Sequence, residues 1–223
     1  MIRSMFTVPA GPERKEIVVV NSRFIASLDY ASSAGDARAF ISRIRREYPD
    51  ASHNVPAFIV GGGNSSTEFC SDDGEPAGTS GRPLLSVLRG SGLGDTVIVV
   101  TRYFGGTLLG TGGLVKAYSE AGRQVLECVR RASLVEFRRF SLELPYAIFE
   151  GFRKLAAEAG AMIAGENFDE MVHILVDVPS EESVRFESRL ADLASGSVAM
   201  RSEGARMERI LVHDRPLHYT RPT

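Results

Sequence analysis

Val97-Ile98-Val99-Val100, Thr101-Arg102-Tyr103-Phe104-Gly105-Gly106 and Leu108-Leu109-Gly110-Thr111-Gly112-Gly113 follow one another with only Thr107 between the last two. The aliphatic run reads as a buried strand, and the glycines that follow read as a loop leading into a helix N-terminus. After Gly113, apolar residues at Leu114, Tyr118, Ala121, Val125 and Val129 recur at steps of three and four, which lays one stripe along a helix. A strand, glycine loop and helix N-terminus in that order often hold an anion or a phosphate, because the first-turn N–H groups lack intrahelical partners. Five glycines between Gly105 and Gly113 cost backbone entropy, so something is expected to approach this backbone closely. Arg102 at the strand end and Lys116 one turn into the helix would supply positive charge. The spacing matches neither a Walker loop nor a dinucleotide fingerprint. The alternative is that the glycines only let helix and sheet pack closely.

Working outward, the acidic stretch Ser71-Asp72-Asp73-Gly74-Glu75-Pro76-Ala77-Gly78-Thr79-Ser80-Gly81-Arg82-Pro83 is the second unusual segment. Three carboxylates in four residues suit a divalent cation, yet they lack the regular alternation of a calcium loop. The plainer reading has the aspartates capping turns and the acids pairing with Arg82 or Arg102. Thr79 or Ser80 caps a helix starting near Pro83 that carries Leu84, Leu85 and Leu88, and Gly90-Ser91-Gly92 ends it.

Upstream, Glu16–Val20 and Phe24–Leu28 flank Asn21-Ser22-Arg23 as a hairpin, which puts Arg23 at a strand edge. From Ser33 to Tyr48 a helix is predicted by Ala37, Phe40, Ile41 and Ile44, with Ser32 or Ser33 as its cap. Its other face carries Arg38, Arg43, Arg45 and Arg46. His53 falls in a polar turn before a strand at Val55–Val60, a Gly61–Asn64 turn and a strand at Thr67–Ser71. Downstream of Arg131 the reading is a strand (Ser133–Leu144), a helix (Ala147–Ala159) and paired strands (Ala161–Asn167, Met171–Val178). A helix capped by Ser180 and a last strand within Ser197–Val212 follow. That order is the split β-α-β pattern of a ferredoxin-like domain.

Composition bounds the function classes. The chain has 223 residues, 43% hydrophobic, with a net charge of −2, and its isoelectric point near 6.1 argues against a generic polyanion binder. The division expected is an N-terminal domain over 1–133, a second domain over 134–212, and a mobile tail over 213–223. No apolar run reaches the roughly eighteen residues of a membrane span, and the first ten residues lack a signal-peptide core, so a cytoplasmic protein is expected. Two isolated cysteines exclude a disulfide framework or zinc cluster. Cys128, beside the helix stripe, reads as a small core residue, and Cys70 as either core or exposed.

The segment from Ser71 to Pro83 and that from Val99 to Tyr118 together resemble the signature of the Impact/YigZ family (UPF0029). The resemblance implies an α+β protein: an N-terminal domain like the second domain of ribosomal protein S5, then a ferredoxin-like domain similar to one from elongation factor G. It implies a role linked to regulation of translation, since eukaryotic relatives act there by competing for a protein partner. Two positions depart from the family pattern. Asn21 stands where lysine is frequent, and Val55 where a cysteine often follows the histidine matching His53, which removes a thiol nucleophile.

The function expected is therefore a non-enzymatic binding protein that contacts RNA or a ribosome-associated protein through a glycine-rich cleft. That cleft would be formed by Arg23, His53, Asp72, Asp73, Glu75, Thr79, Arg82, Arg102, Tyr103, Phe104, Gly105, Gly106, Gly110, Gly112, Gly113 and Lys116. No catalytic residue, metal or cofactor is assigned. Arg and Lys would position phosphate while Tyr103 or Phe104 stacks a base. The alternatives are an enzyme acting on a small phosphorylated or nucleotide ligand, with His53 or a carboxylate as general base, and a protein-interaction regulator, which should expose an apolar patch.

Overall fold

The computed structural model describes residues 6–61, 66–195 and 198–211. Gly62 to Asn64 of the expected turn and the expected tail lie outside the described residues. The chain divides into two compact units. One comprises Phe6–Ser133 with residues 210 and 211, the other Leu134–Arg209.

In the first unit, β1 (Thr7–Pro9), β2 (Glu13–Val19), β3 (Ser22–Tyr30), α1 (Ala34–Glu47), β4 (His53–Val60), β5 (Thr67–Cys70), α2 (Gly81–Gly90), β6 (Thr96–Tyr103) and α3 (Gly110–Cys128) follow in order. An antiparallel sheet runs β2-β3-β6-β4-β5. Central β6 explains the uninterrupted aliphatic run. Ile98 and Val100 enter a core shared with Leu84, Leu88, Tyr118 and Val125 of α2 and α3, whereas Val97 and Val99 enter a second core with Phe40, Ile41 and Ile44 of α1. A strand buried on both faces has no reason to alternate apolar with polar residues.

Ser33 caps α1, its hydroxyl accepting the Asp36 N–H at 3.1 Å. Val20 and Asn21 both take positive φ (46° and 65°), which makes the β2–β3 connection a tight two-residue turn. Three readings need correction. His53 is the first residue of β4 and not part of a turn. α2 starts at Gly81, two residues before Pro83, because a Cβ at Gly81 would come within 2.7 Å of the Ser71 backbone: only glycine lets the helix begin against that chain. Cys128, at the far end of α3, is exposed and not a small core residue, while the first turn of that helix holds Gly110, Thr111, Gly112 and Gly113.

In the second unit, β7 (Arg131–Leu144), α4 (Tyr146–Glu158), β8 (Met162–Phe168), β9 (Val172–Pro179), α5 (Ser183–Leu193) and β10 (Met200–Leu211) give the β-α-β-β-α-β order of a ferredoxin-like fold. The strands lie β10-β7-β9-β8. Phe140, Leu142, Ile174 and Val176 on one sheet face pack on Phe152 and Leu155 of α4 and Phe186 and Leu190 of α5. Glu182, not Ser180, precedes the first turn of α5. The Ser180 carbonyl instead accepts the Ser183 hydroxyl at 2.8 Å. The first residues of β7, Arg131–Ser133, pair with β1, a strand too short to show a pattern in sequence.

Leu88 is fully buried and Leu108 is 87% exposed. Leu88→Ala is therefore expected to cost about 2–5 kcal/mol in denaturant unfolding, and Leu108→Ala less than about 0.5 kcal/mol.

Candidate functional site: a buried charge cluster beneath an exposed loop

Strand register builds the site. Arg102 on β6 lies opposite Phe24 of β3 and His53 of β4, so the three form one row across the sheet, on the face that carries α2 and α3. At that row the aliphatic core gives way to charge. Arg102 Nη1 donates to Glu75 Oε1 at 2.7 Å, and both side chains are nearly inaccessible, 6% and 3% exposed. The Tyr118 hydroxyl, two turns into α3, donates to the same oxygen at 2.8 Å. Burial, then the neighbouring Glu75 carboxylate, push the Tyr118 phenol far above its ordinary range, so it remains a protonated donor. Arg102 Nη2 reaches the Ser22 hydroxyl at 3.4 Å, which also accepts the Gly105 N–H at 3.1 Å. Its Nε is buried without a hydrogen-bond partner. The guanidinium instead lies 5.4 Å and 5.5 Å from the ring centroids of Phe24 and Phe104, where cation–π attraction offsets part of the lost hydration.

The acidic loop is held from within. Asp72 Oδ1 accepts the Ser80 N–H at 3.1 Å, the Ser80 hydroxyl at 2.8 Å and the Gly81 N–H at 2.8 Å, and Oδ2 accepts the Gly78 N–H at 2.8 Å. Asp73 accepts the Asn54 N–H at 2.7 Å and pairs with Arg45 at 2.5 Å. The Thr79 hydroxyl donates to the Pro76 carbonyl at 2.7 Å. All three carboxylates thus have protein partners, and the described residues hold no cluster of His, Cys, Asp and Glu suited to a metal. His53 Nδ1 lies 2.8 Å from the Asp73 carbonyl, an acceptor only, which places the ring proton on Nδ1. Nε2 then lies 3.8 Å from Glu75 Oε2.

The glycine run has two roles. A Cβ at Gly105 would sit 2.1 Å from the Asn21 carbonyl carbon, so the close approach there is made by the chain's own β2–β3 turn. A Cβ at Gly106, Gly110 or Gly112 would meet nothing within 4 Å, and the α3 N-terminus has no side-chain cap. Around this open stretch Phe104 is 47% and Leu108 87% exposed, with Val18 and Val20 exposed on the hairpin that Gly105 touches. Arg23, paired with Glu16 at 2.9 Å, lies over the Tyr103 ring at 5.4 Å, and the Tyr103 hydroxyl donates to Asp50 at 2.9 Å. Lys116 and Arg82 are exposed on α3 and α2. Gly113, whose Cβ would sit 3.0 Å from Leu109, packs inside the first turn. Sequence reading missed Tyr118, Ser22, Asn54 and Arg45. Tyr118 alone carried a signal, a polar tip on an otherwise apolar stripe.

These features define a two-domain α+β protein whose N-terminal half carries a charge-stapled glycine loop. Residues 20–126 match the Impact N-terminal domain model, and residues 142–197 match a domain of unknown function, DUF1949. The chain is 36% identical over 194 residues to the IMPACT family member YigZ of Escherichia coli, covering 86% of this chain and 95% of that one. It is 35% identical over 199 residues to the IMPACT family member YvyE of Bacillus subtilis, covering 88% and 89%. A crystal structure of a hypothetical protein superposes with a TM-score of 0.60 at 36% identity, covering 87% of this chain and 95% of the other. The chain belongs to the IMPACT family.

Removing one partner of the buried pair leaves the other charge stranded. Arg102→Ala is expected to lose about 3–5 kcal/mol of unfolding free energy in denaturant titration. The Asp72 carboxyl titrates below its ordinary range: burial alone would raise it, but the N–H groups of Gly78, Gly81 and Ser80 and the Ser80 hydroxyl outweigh burial. A depressed folded pKa stabilises above the unfolded value and loses that stabilisation as pH falls through the folded one. Asp72→Asn is thus expected to lose about 1–3 kcal/mol at pH 7, with the gap to wild type narrowing below about pH 4 in pH-dependent denaturation.

Proposed function

We propose that this protein is a non-enzymatic, cytoplasmic binding protein in the regulation of translation, and that the rim of the glycine loop contacts a translation component, either RNA or a ribosome-associated protein. One observation carries the reading. The groups best suited to chemistry, Arg102, Glu75, Asp72 and Asp73, are engaged with protein partners, while Phe104 and Leu108 are exposed around open glycines. Exposed aromatic and aliphatic side chains rimmed by cations suit a macromolecular contact. Arg23, His53, Tyr103, Lys116 and the backbone of Gly106, Gly110 and Gly112 complete that rim, and Thr79, Arg82, Gly105 and Gly113 belong to the elements that frame it. Membership of the IMPACT family supports the translational role. Among the described residues no helix is long and apolar enough to cross a membrane.

A second reading rests on His53, a partly exposed ring with a fixed tautomer beside a buried carboxylate. It would act as general base toward a small phosphate-containing ligand at the α3 N-terminus.

Crosslinking of the tagged protein in its own cells, followed by identification of bound RNA and protein, tests both. Wild type is expected to enrich ribosomal RNA or ribosome-associated proteins, and Leu108→Ser/Lys116→Glu, at two exposed side chains, to lose them while unfolding at the same temperature. Equal recovery by both forms would overturn the assignment of the rim. A thermal shift with a phosphorylated metabolite that disappears in His53→Ala would favour the enzyme.

A further inference from the structure

The charge cluster beneath the glycine loop leaves one carboxylate oxygen unanswered. Glu75 Oε1 accepts from Arg102 and Tyr118, whereas Oε2 has no hydrogen-bond donor among the described residues, although the side chain is only 3% exposed. Facing it at 3.8 Å is His53 Nε2. The His53 Nδ1 proton is committed to the Asp73 carbonyl at 2.8 Å, so Nε2 presents a lone pair. Two acceptors thus face each other across a gap too long for a direct hydrogen bond. Each lacks a proton to accept, and inside a protein that deficit is costly.

Only a donor suits the gap. The described ion pairs of Glu75 are with Arg102 and His53, so the exposed Arg82 and Lys116 on α2 and α3 do not fill it. An anion is repelled by the carboxylate. A metal ion would find these two ligands and no third, because the described residues hold no group of three His, Cys, Asp or Glu suited to one. An ammonium group has three N–H bonds and a positive charge, and set to one side of the pair it can lie about 2.8 Å from both acceptors. His53 is 24% exposed, which gives such a group a way in from solvent. Phe104, whose N–H donates to the hydroxyl of Ser52, next to His53 in the chain, has a half-exposed ring 5.5 Å from the guanidinium that holds Glu75. An alkyl stem can pack on that ring while its charged head reaches the acceptors.

We propose that Glu75 Oε2 and His53 Nε2 form a recognition site for a primary ammonium group on an alkyl stem, supplied by a small free amine or by a lysine side chain. The site goes beyond the reading of the rim as a macromolecular contact. The two fail separately, since the amine can bind whether or not the rim crosslinks to a partner.

Nuclear magnetic resonance of the full chain with isotope-labelled imidazoles, titrated with butylammonium, provides the test, with butanol as the uncharged analogue. Wild type is expected to bind butylammonium at about millimolar concentration, shifting the His53 Nε2 signal, and to bind butanol at least roughly tenfold more weakly. His53→Phe should weaken butylammonium by about tenfold or more. His53→Gln, which restores an acceptor, should weaken it less, and both variants should unfold within a few degrees of wild type. Val184→Ser, at an exposed valine of α5, should change nothing. Spermidine and Nα-acetyl-lysine methylamide separate the two sources: tighter binding of spermidine assigns the site to a free amine, and equal or tighter binding of the lysine derivative assigns it to a partner's side chain. Butanol bound as tightly as butylammonium, no shift at His53 with any amine, or adenosine bound in preference to every amine would overturn the proposal. So would a ligand-free spectrum with both ring nitrogens of His53 protonated, because the imidazolium would then itself be the cation facing Glu75.

Discussion

The arrangement of the N-terminal half depends on one buried ion pair. Arg102 and Glu75 bring together a central strand and an irregular loop, and Tyr118 ties α3 to the same carboxylate oxygen. Charges removed from water are tolerated only where their hydrogen-bonding capacity is met, so each partner constrains the others. Through Ser22 the pair also reaches the Gly105 N–H. The glycine loop thereby leaves β6 along a defined path before α3 begins.

This explains the contrast between the inside and the rim of the site. Asp72 organises the acidic loop by accepting hydrogen bonds from three N–H groups and a hydroxyl. Asp73 links that loop to β4 and α1. With the acids so engaged, the side chains left toward solvent are those a partner would meet: an aromatic ring, leucine, and cations at element ends. The loop's conformation is fixed from below, so a partner binding it would lose less to ordering than one binding a mobile segment.

Much of this was legible in the sequence, and the exceptions have physical causes. Val97–Val100 announced the central strand because both its faces are covered. Ser32 and Ser33 announced their helix because a cap is a local interaction, with Ser33 the one that makes it, and the element order of residues 134–211 followed from periodicity. The pairing of Glu75 with Arg102 stood among the alternatives, but nothing in the chain singled out Glu75 over its acidic neighbours. The helix start at Gly81 ran against propensity: glycine disfavours helix, yet only it fits against the Ser71 backbone. Cys128 lies one residue from Val129, and at a helix end that step separates core from solvent. β1 pairs with residues more than a hundred positions away, and three residues carry no period.

The most direct measurement replaces the pair with apolar residues of similar volume, Arg102→Met with Glu75→Leu and Tyr118→Phe, and compares both unfolding free energy and the crosslinked partners with wild type. A structural role for the cluster predicts a folded protein of equal or greater stability that recovers the same partners. A folded, stable variant that recovers none would mean that the charges themselves make the contact, and would contradict the account.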